Sequence, residues 1–170
     1  MKRLEILCLL IAITFATLII FLLQPAILSS DSGRLLAQSS SIEEWRRNLM
    51  WPSLALNYIL GITATLTWIA IGASFQSVKS RDTLSMETFW WILCISYGLI
   101  SLAVVMGLSF AKQLIDQSYF LQFLIYLSMF SLVNVLLLYW LPTAIATPRT
   151  MRYIPPGSQL VRTLFGGWQS

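Results

Sequence analysis

Histidine is absent from the 170 residues, and only 11% of them are charged. The first absence removes the usual general base, the usual axial ligand of haem or chlorophyll, and the commonest transition-metal ligand. The second is far from the soluble norm, in which about 25% of residues are charged and about 45–50% apolar; here 57% are apolar and the mean hydropathy is +0.75. Cysteine is scarce too. Cys8 and Cys94 both fall inside apolar runs, where a structural disulfide is not expected. They form no CxxC pair and have no histidine to share a metal with. No GxSxG, P-loop, GxGxxG or HExxH motif occurs, so the common nucleotide, hydrolase and zinc-protease signatures are missing. Nothing in the residues asks for a cofactor or a metal, and an intramembrane nucleophile would have no base beside it.

What the chain has is apolar length. Four runs, at about 4–28, 52–75, 89–111 and 119–146, are each long enough to cross a hydrocarbon layer of about 30 Å as a helix of about 20 residues. The reading is an all-α integral membrane protein: a bundle of four transmembrane helices over 1–147, followed by a tail over 148–170. Association of such helices rests on close packing and interhelical hydrogen bonds, because lipid chains compete with any apolar core. All seven acidic residues lie at or outside the ends of the runs, with Glu5 one turn from the terminus. Ion-coupled carriers, proton relays and voltage sensors normally need ionisable groups at mid-membrane.

The first run begins Met1-Lys2-Arg3, as a signal peptide would, but its apolar part from 6 to 23 exceeds the usual h-region of about 7–15 residues. It is read as an uncleaved first helix. Gln24-Pro25 near its far end can bend or stop it. With four crossings, Lys2, Arg3, Lys79, Arg81, Arg149, Arg152 and Arg162 share one side, and Arg34, Arg46, Arg47 and Lys112 the other. Seven basic residues against four favour both termini on the cytoplasmic, or stromal-equivalent, side. The net charge of +4 is accounted for by these flanking residues and forms no stripe that would suit nucleic acid.

Within the loop over 29–51, Ser41 and Glu44 have capping-box spacing, and Ile42, Trp45 and Leu49 share one helical face. A short interfacial helix over 41–50 is predicted, with Pro52 opening the second span. Glu43 and Glu44 diverge on such a helix and face Arg46 and Arg47, a solvated cluster instead of an acid–base pair. Four spans with a structured first loop resemble tetraspan proteins in architecture, but this loop lacks the paired cysteines of claudins and tetraspanins.

Small residues mark candidate packing faces: Gly61 and Thr65 in the second span, and Ala103, Gly107 and Ala111 in the third. These two faces are expected to pack on each other, or one of them to receive a helix of another chain. Asn134, an amide in the middle of the fourth span, is expected to hydrogen-bond between helices, with the lining of a polar pathway or of a lipid or pigment site as the alternative. Asn57, Ser96, Tyr97 and Ser101 are read as structural, and most tryptophans, including the pair Trp90 and Trp91, as interface anchors. In the tail, Pro155-Pro156-Gly157 predicts a turn. Ser158 can cap a short helix with Leu160, Val161, Leu164 and Phe165 on one side, stopped by Gly166 and Gly167. Trp45, Arg46 and Arg47 in the loop, with Arg149, Arg152, Tyr153, Arg162, Phe165 and Trp168 in the tail, are candidate contacts with a membrane surface or a partner. The functional expectation is a non-catalytic membrane subunit that anchors or scaffolds a larger complex, bound to lipid and to other membrane subunits or to copies of itself. The alternative is a small oligomeric channel or carrier for a neutral solute, lined by Asn134, Thr63 and Thr67.

Overall fold

A computed structural model describes residues 3–28, 46–74, 83–111, 120–146 and 155–158. Among these the chain is helical and has no strand. Four helices are long and apolar enough to cross a membrane: Ile6–Ile27, Arg46–Ile71, Met86–Phe110 and Leu124–Ala146. The third helix starts earlier than the sequence pattern suggests, at Thr83, because Met86 still has core to pack against.

The spans run antiparallel in sequence order. Cys8 and Ala12 at the start of the first lie against Ala144 and Ile145 at the end of the fourth, while Gln24 near its end meets Asn134. Trp68 stacks on Phe89 across spans two and three, and the rings of Trp90 and Tyr139 meet at a tilt of 33° across three and four. The described start of span one and end of span four therefore lie at the same end of the bundle as Trp68 and Phe89. Spans two and four form a close diagonal, since a Cβ built on Gly61 would lie 2.6 Å from Leu138 Cβ.

The faces are inverted relative to a soluble bundle. Leu10, Phe15, Leu22, Ile59, Leu99 and Leu132 are all at least half exposed, whereas Gln24, Asn57, Thr65, Ser101, Asn134 and Thr143 are buried. This is the arrangement expected where the solvent is hydrocarbon: apolar side chains cost nothing outside, and polar ones must find partners inside. The buried seam of span one runs Ala12, Ala16, Ile20, Gln24, and that of span two runs Leu54, Asn57, Gly61, Thr65, Trp68. Steps of three and four residues keep each seam on one face.

Three of the four helices contain a π-helical turn, at Ile19–Leu23, Arg46–Met50 and Leu136–Trp140. Each ends two residues before a proline: Pro25, Pro52 and Pro142. Proline has no N–H and its ring presses on the carbonyl four residues back. A widened turn relieves that clash, and the residue before proline bonds five residues back, as Gln24 N–H does to Ile19 O and Leu141 N–H to Leu136 O. None of the prolines ends its helix. Pro25 is followed by helix to Leu28 and Pro142 by helix to Ala146. Arg46–Met50 leads directly into Trp51–Ser74, so in the described part of the first loop there is no break between the predicted interfacial helix and the span; 41–45 lie outside the described residues.

Pro142 leaves the carbonyl of Leu138 without its α-helical partner, and Thr65 Oγ1 donates to that oxygen at 2.5 Å from span two, across the diagonal. Thr65→Val should therefore cost about 1 kcal/mol. In a Pro142→Ala background, where residue 142 regains an N–H, the same change should cost much less. Thermal unfolding of the wild type, both single variants and the double variant checks this; additive costs would mean that the hydroxyl does not replace the missing backbone donor.

Candidate functional site

The polar groups that the seams bring inside are joined across all four helices. Gln24 Nε2 donates to Asn134 Oδ1 at 2.5 Å, tying span one to span four. One turn before Asn134, Ser131 Oγ donates to Ser101 Oγ at 3.3 Å, tying four to three. Ser101 Oγ donates to Asn57 Oδ1, tying three to two, and Tyr97 OH donates to the Asn57 carbonyl at 3.1 Å. Tyr58, next to Asn57, shares a 2.9 Å hydrogen bond with the hydroxyl of Thr17, which closes the circuit back to span one. Phe21 packs edge-on against the same Tyr58 ring. Short side chains complete their own valences locally: Ser53 Oγ donates to Leu49 O, and Ser109 Oγ to Val105 O.

This circuit borders a cavity of about 60 Å³ in the half of the bundle farther from the described ends. Its polar wall is Gln24, Ser53, Asn57, Ser101, Ser131 and Asn134, and its apolar wall includes Leu49, Leu54, Val105 and Phe130. Water needs only about 10–15 Å³ of such space. Gln24 Oε1 is buried here without a hydrogen-bond partner.

The opposite half is filled by aromatic rings. Trp68, Trp90 and Tyr139 are at most 1% exposed. Trp90 Nε1 donates to Thr143 Oγ1 at 3.2 Å, and Tyr139 OH to the Trp90 carbonyl at 2.9 Å. Trp90 is thus a core residue and not an interface anchor, whereas its neighbour Trp91, about 100° round the helix, is 41% exposed. Trp68 is core for the same reason, in a sequence where tryptophan suggests the headgroup belt.

The small residues fall into two sets. Gly61 and Thr65 face span four, through Leu138, and not the small face of span three. Ala103 and Gly107 are exposed, and a Cβ on Gly107 would meet nothing within 4 Å. Spans two and three join instead through Asn57, Tyr97 and Ser101. Ala111 ends the third helix. Thr63 is exposed, and Thr67 Oγ1 bonds back to its carbonyl at 2.8 Å, so neither lines the cavity. Span one has its own buried small pair, Ala12 and Ala16, which the sequence pattern does not single out.

Of the candidate surface contacts, Arg47 is exposed and Arg46 partly buried; Trp45, Arg149, Arg152, Tyr153, Arg162, Phe165 and Trp168 lie outside the described residues. In the tail, Pro155–Ser158 forms a tight turn, with Ser158 N–H on Pro155 O at 3.1 Å and Gly157 at φ 78°. Proline followed by a positive-φ glycine is the type II pattern. Trp140 Nε1 donates to Pro156 O at 2.7 Å, and Ser158 Oγ donates to Pro155 O. The turn is thereby fastened to the end of span four.

No protein-family model, curated protein or solved structure matches this chain.

Two glycine comparisons follow from this geometry. Gly61→Ala drives a methyl into Leu138 and should destabilise by about 1–3 kcal/mol; Gly107→Ala enters open space and should leave the unfolding midpoint unchanged or raise it, since alanine favours helix by about 0.8–1 kcal/mol. Equal effects in thermal unfolding would contradict the assigned faces. Gly157→Ala meets both the left-handed φ and Trp140, 2.8 Å from the added carbon. It should free the turn and speed tryptic cleavage of the tail while leaving the spans intact by circular dichroism.

Proposed function

We propose that this chain is a non-catalytic integral-membrane subunit, an assembly, anchoring or scaffold component of a larger membrane complex, with both termini on the cytoplasmic or stromal-equivalent side. The observation that carries this reading is the outward face of span three. Ala103 and Gly107 leave a shallow strip of backbone facing away from the bundle, with no atom within 4 Å of where a Cβ on Gly107 would sit. Lipid chains gain nothing from a glycine there, whereas a second helix can approach closely and make dispersion contacts. The other close-approach glycine, Gly61, is used inside the chain. The fastened turn at Pro155–Ser158 supports the same reading, because it starts the remaining tail from a fixed point at the end of the bundle.

A small channel or carrier for a neutral solute is the second reading, and the cavity beside Gln24 and Asn134 favours it. Against it stand Trp68, Trp90 and Tyr139, which fill the other half of the bundle, so one protomer offers no continuous polar path.

The test is affinity purification of a C-terminally tagged chain in mild detergent, with gentle crosslinking, for wild type and Gly107→Leu. The wild type should carry defined partner subunits or further copies of itself. Gly107→Leu should lose them at least about tenfold, the equivalent of 1.4 kcal/mol at the contact, with its own unfolding midpoint unchanged. A wild-type particle that stays monomeric after crosslinking overturns the proposal, and solute flux in liposomes containing that monomer would favour the second reading.

A further inference from the structure

Among the described residues, two buried side-chain polar atoms have no hydrogen-bond partner, Gln24 Oε1 and Arg46 Nε. The first belongs to Gln24, a residue that lines the cavity between the spans. Gln24 is 2% exposed, and an amide oxygen held in apolar surroundings without a donor is costly. The hydroxyls on the same wall donate elsewhere, Ser53 to Leu49 O, Ser101 to Asn57 and Ser131 to Ser101. The cavity that Gln24 lines is several times what one water needs, and Leu49, Met50, Val105 and Phe130 make much of the remaining wall apolar. The cavity is not sealed: Tyr126, also on its lining, is 38% exposed.

These features select a ligand by elimination. No acidic or basic side chain among the described residues lines the cavity, so an ammonium or a carboxylate would be buried without a counter-charge. A carboxylate would also meet the oxygen of Gln24 with its own. Esters and hydrocarbons bring no donor. A neutral hydroxyl on an apolar body meets every requirement.

We infer that the cavity is a binding site for a neutral lipid alcohol, whose hydroxyl donates to Gln24 Oε1 while the adjoining carbons lie against Leu49, Met50, Val105 and Phe130 and the chain leaves past Tyr126. This is independent of whether the chain has protein partners. It concerns the interior of one protomer.

The test is thermal unfolding of the full chain in detergent with oleyl alcohol, 1,2-dioleoylglycerol, methyl oleate or triolein. The two alcohols carry a hydroxyl; methyl oleate and triolein are matched lipids without one. At a hundredfold excess over the dissociation constant, at least one alcohol should raise the midpoint by about 5 °C or more, and methyl oleate and triolein should not. A response to dioleoylglycerol alone identifies a glycerolipid as the natural source, and a response to oleyl alcohol alone a single-chain alcohol. Gln24→Met, which removes the acceptor, and Val105→Phe, which fills the cavity and leaves the Gln24–Asn134 pair intact, should each abolish the shift; if Gln24→Met fails to fold, Val105→Phe decides. Equal shifts with the hydroxyl-free lipids, a shift that survives in the folded variants, or no shift with either alcohol, leaving Oε1 to water only, overturns the inference.

Discussion

Four helices in hydrocarbon gain little from touching each other with leucine, since lipid offers leucine the same surroundings. What lipid cannot offer is a hydrogen bond, and the closed circuit through Gln24, Asn134, Ser131, Ser101, Asn57, Tyr58 and Thr17 supplies four interhelical bridges, one for each adjacent pair of spans. At about 0.6 kcal/mol for an average interhelical bond in a membrane, the circuit contributes only roughly 2–3 kcal/mol. Its larger effect is on register. Sliding any one span by a turn would leave several of these groups buried and unpaired, at about 1–3 kcal/mol each. The circuit therefore decides which arrangement forms, while close packing at Ala12, Ala16 and Gly61 supplies contact area.

The prolines act on the same problem from the backbone side. In water a carbonyl freed by proline is solvated; in the membrane interior it has to find a protein donor. The Leu138 carbonyl finds Thr65, and the approach needed for that bond is the approach that Gly61 permits one turn earlier on the same helix. Glycine, threonine, proline and the widened turn at Leu136–Trp140 are thus one device, and it sits on the diagonal of the bundle, where two parallel helices have no short loop to hold them together.

Much of this could be read from the residues. The four spans were legible because a run of apolar residues about 20 long matches the thickness of a bilayer and exceeds what a core helix of a soluble domain this small requires, and their ends fell within a few residues except at Arg46 and Thr83, where the described helices begin earlier. The interhelical role of the amide at Asn134 had a clear physical reason, an unhydrated polar group inside the bilayer. Its partner did not. Gln24 stood beside a proline near the end of its span, where the helix could bend or stop; the structure continues the helix to Leu28 and places that side chain against Asn134 in the middle of span four. Relative offset between helices is set by packing, and no single helix encodes it. The same limit explains the tryptophans: an indole fits the headgroup region and a packed core equally well, and only the opposing Tyr139, Thr143 and Phe89 decide for Trp90 and Trp68. Likewise a small-residue face reveals that something can come close without naming what does, so Gly61 and Gly107 looked alike and turned out to point in different directions.

The widened turns carry a consequence for how this chain tolerates change in length. A π turn holds one residue more than the α turn it replaces, so it takes up that residue within a single turn of the helix. Losing a single residue from Leu136–Trp140 would return that turn to α geometry and leave everything beyond it, Thr143 and Ala144 included, on the seam that meets Trp90 and Ala12. The fourth span can thus shed one residue at the bulge without turning the face that follows, whereas a residue lost from one of its regular α turns would swing that face by about 100°.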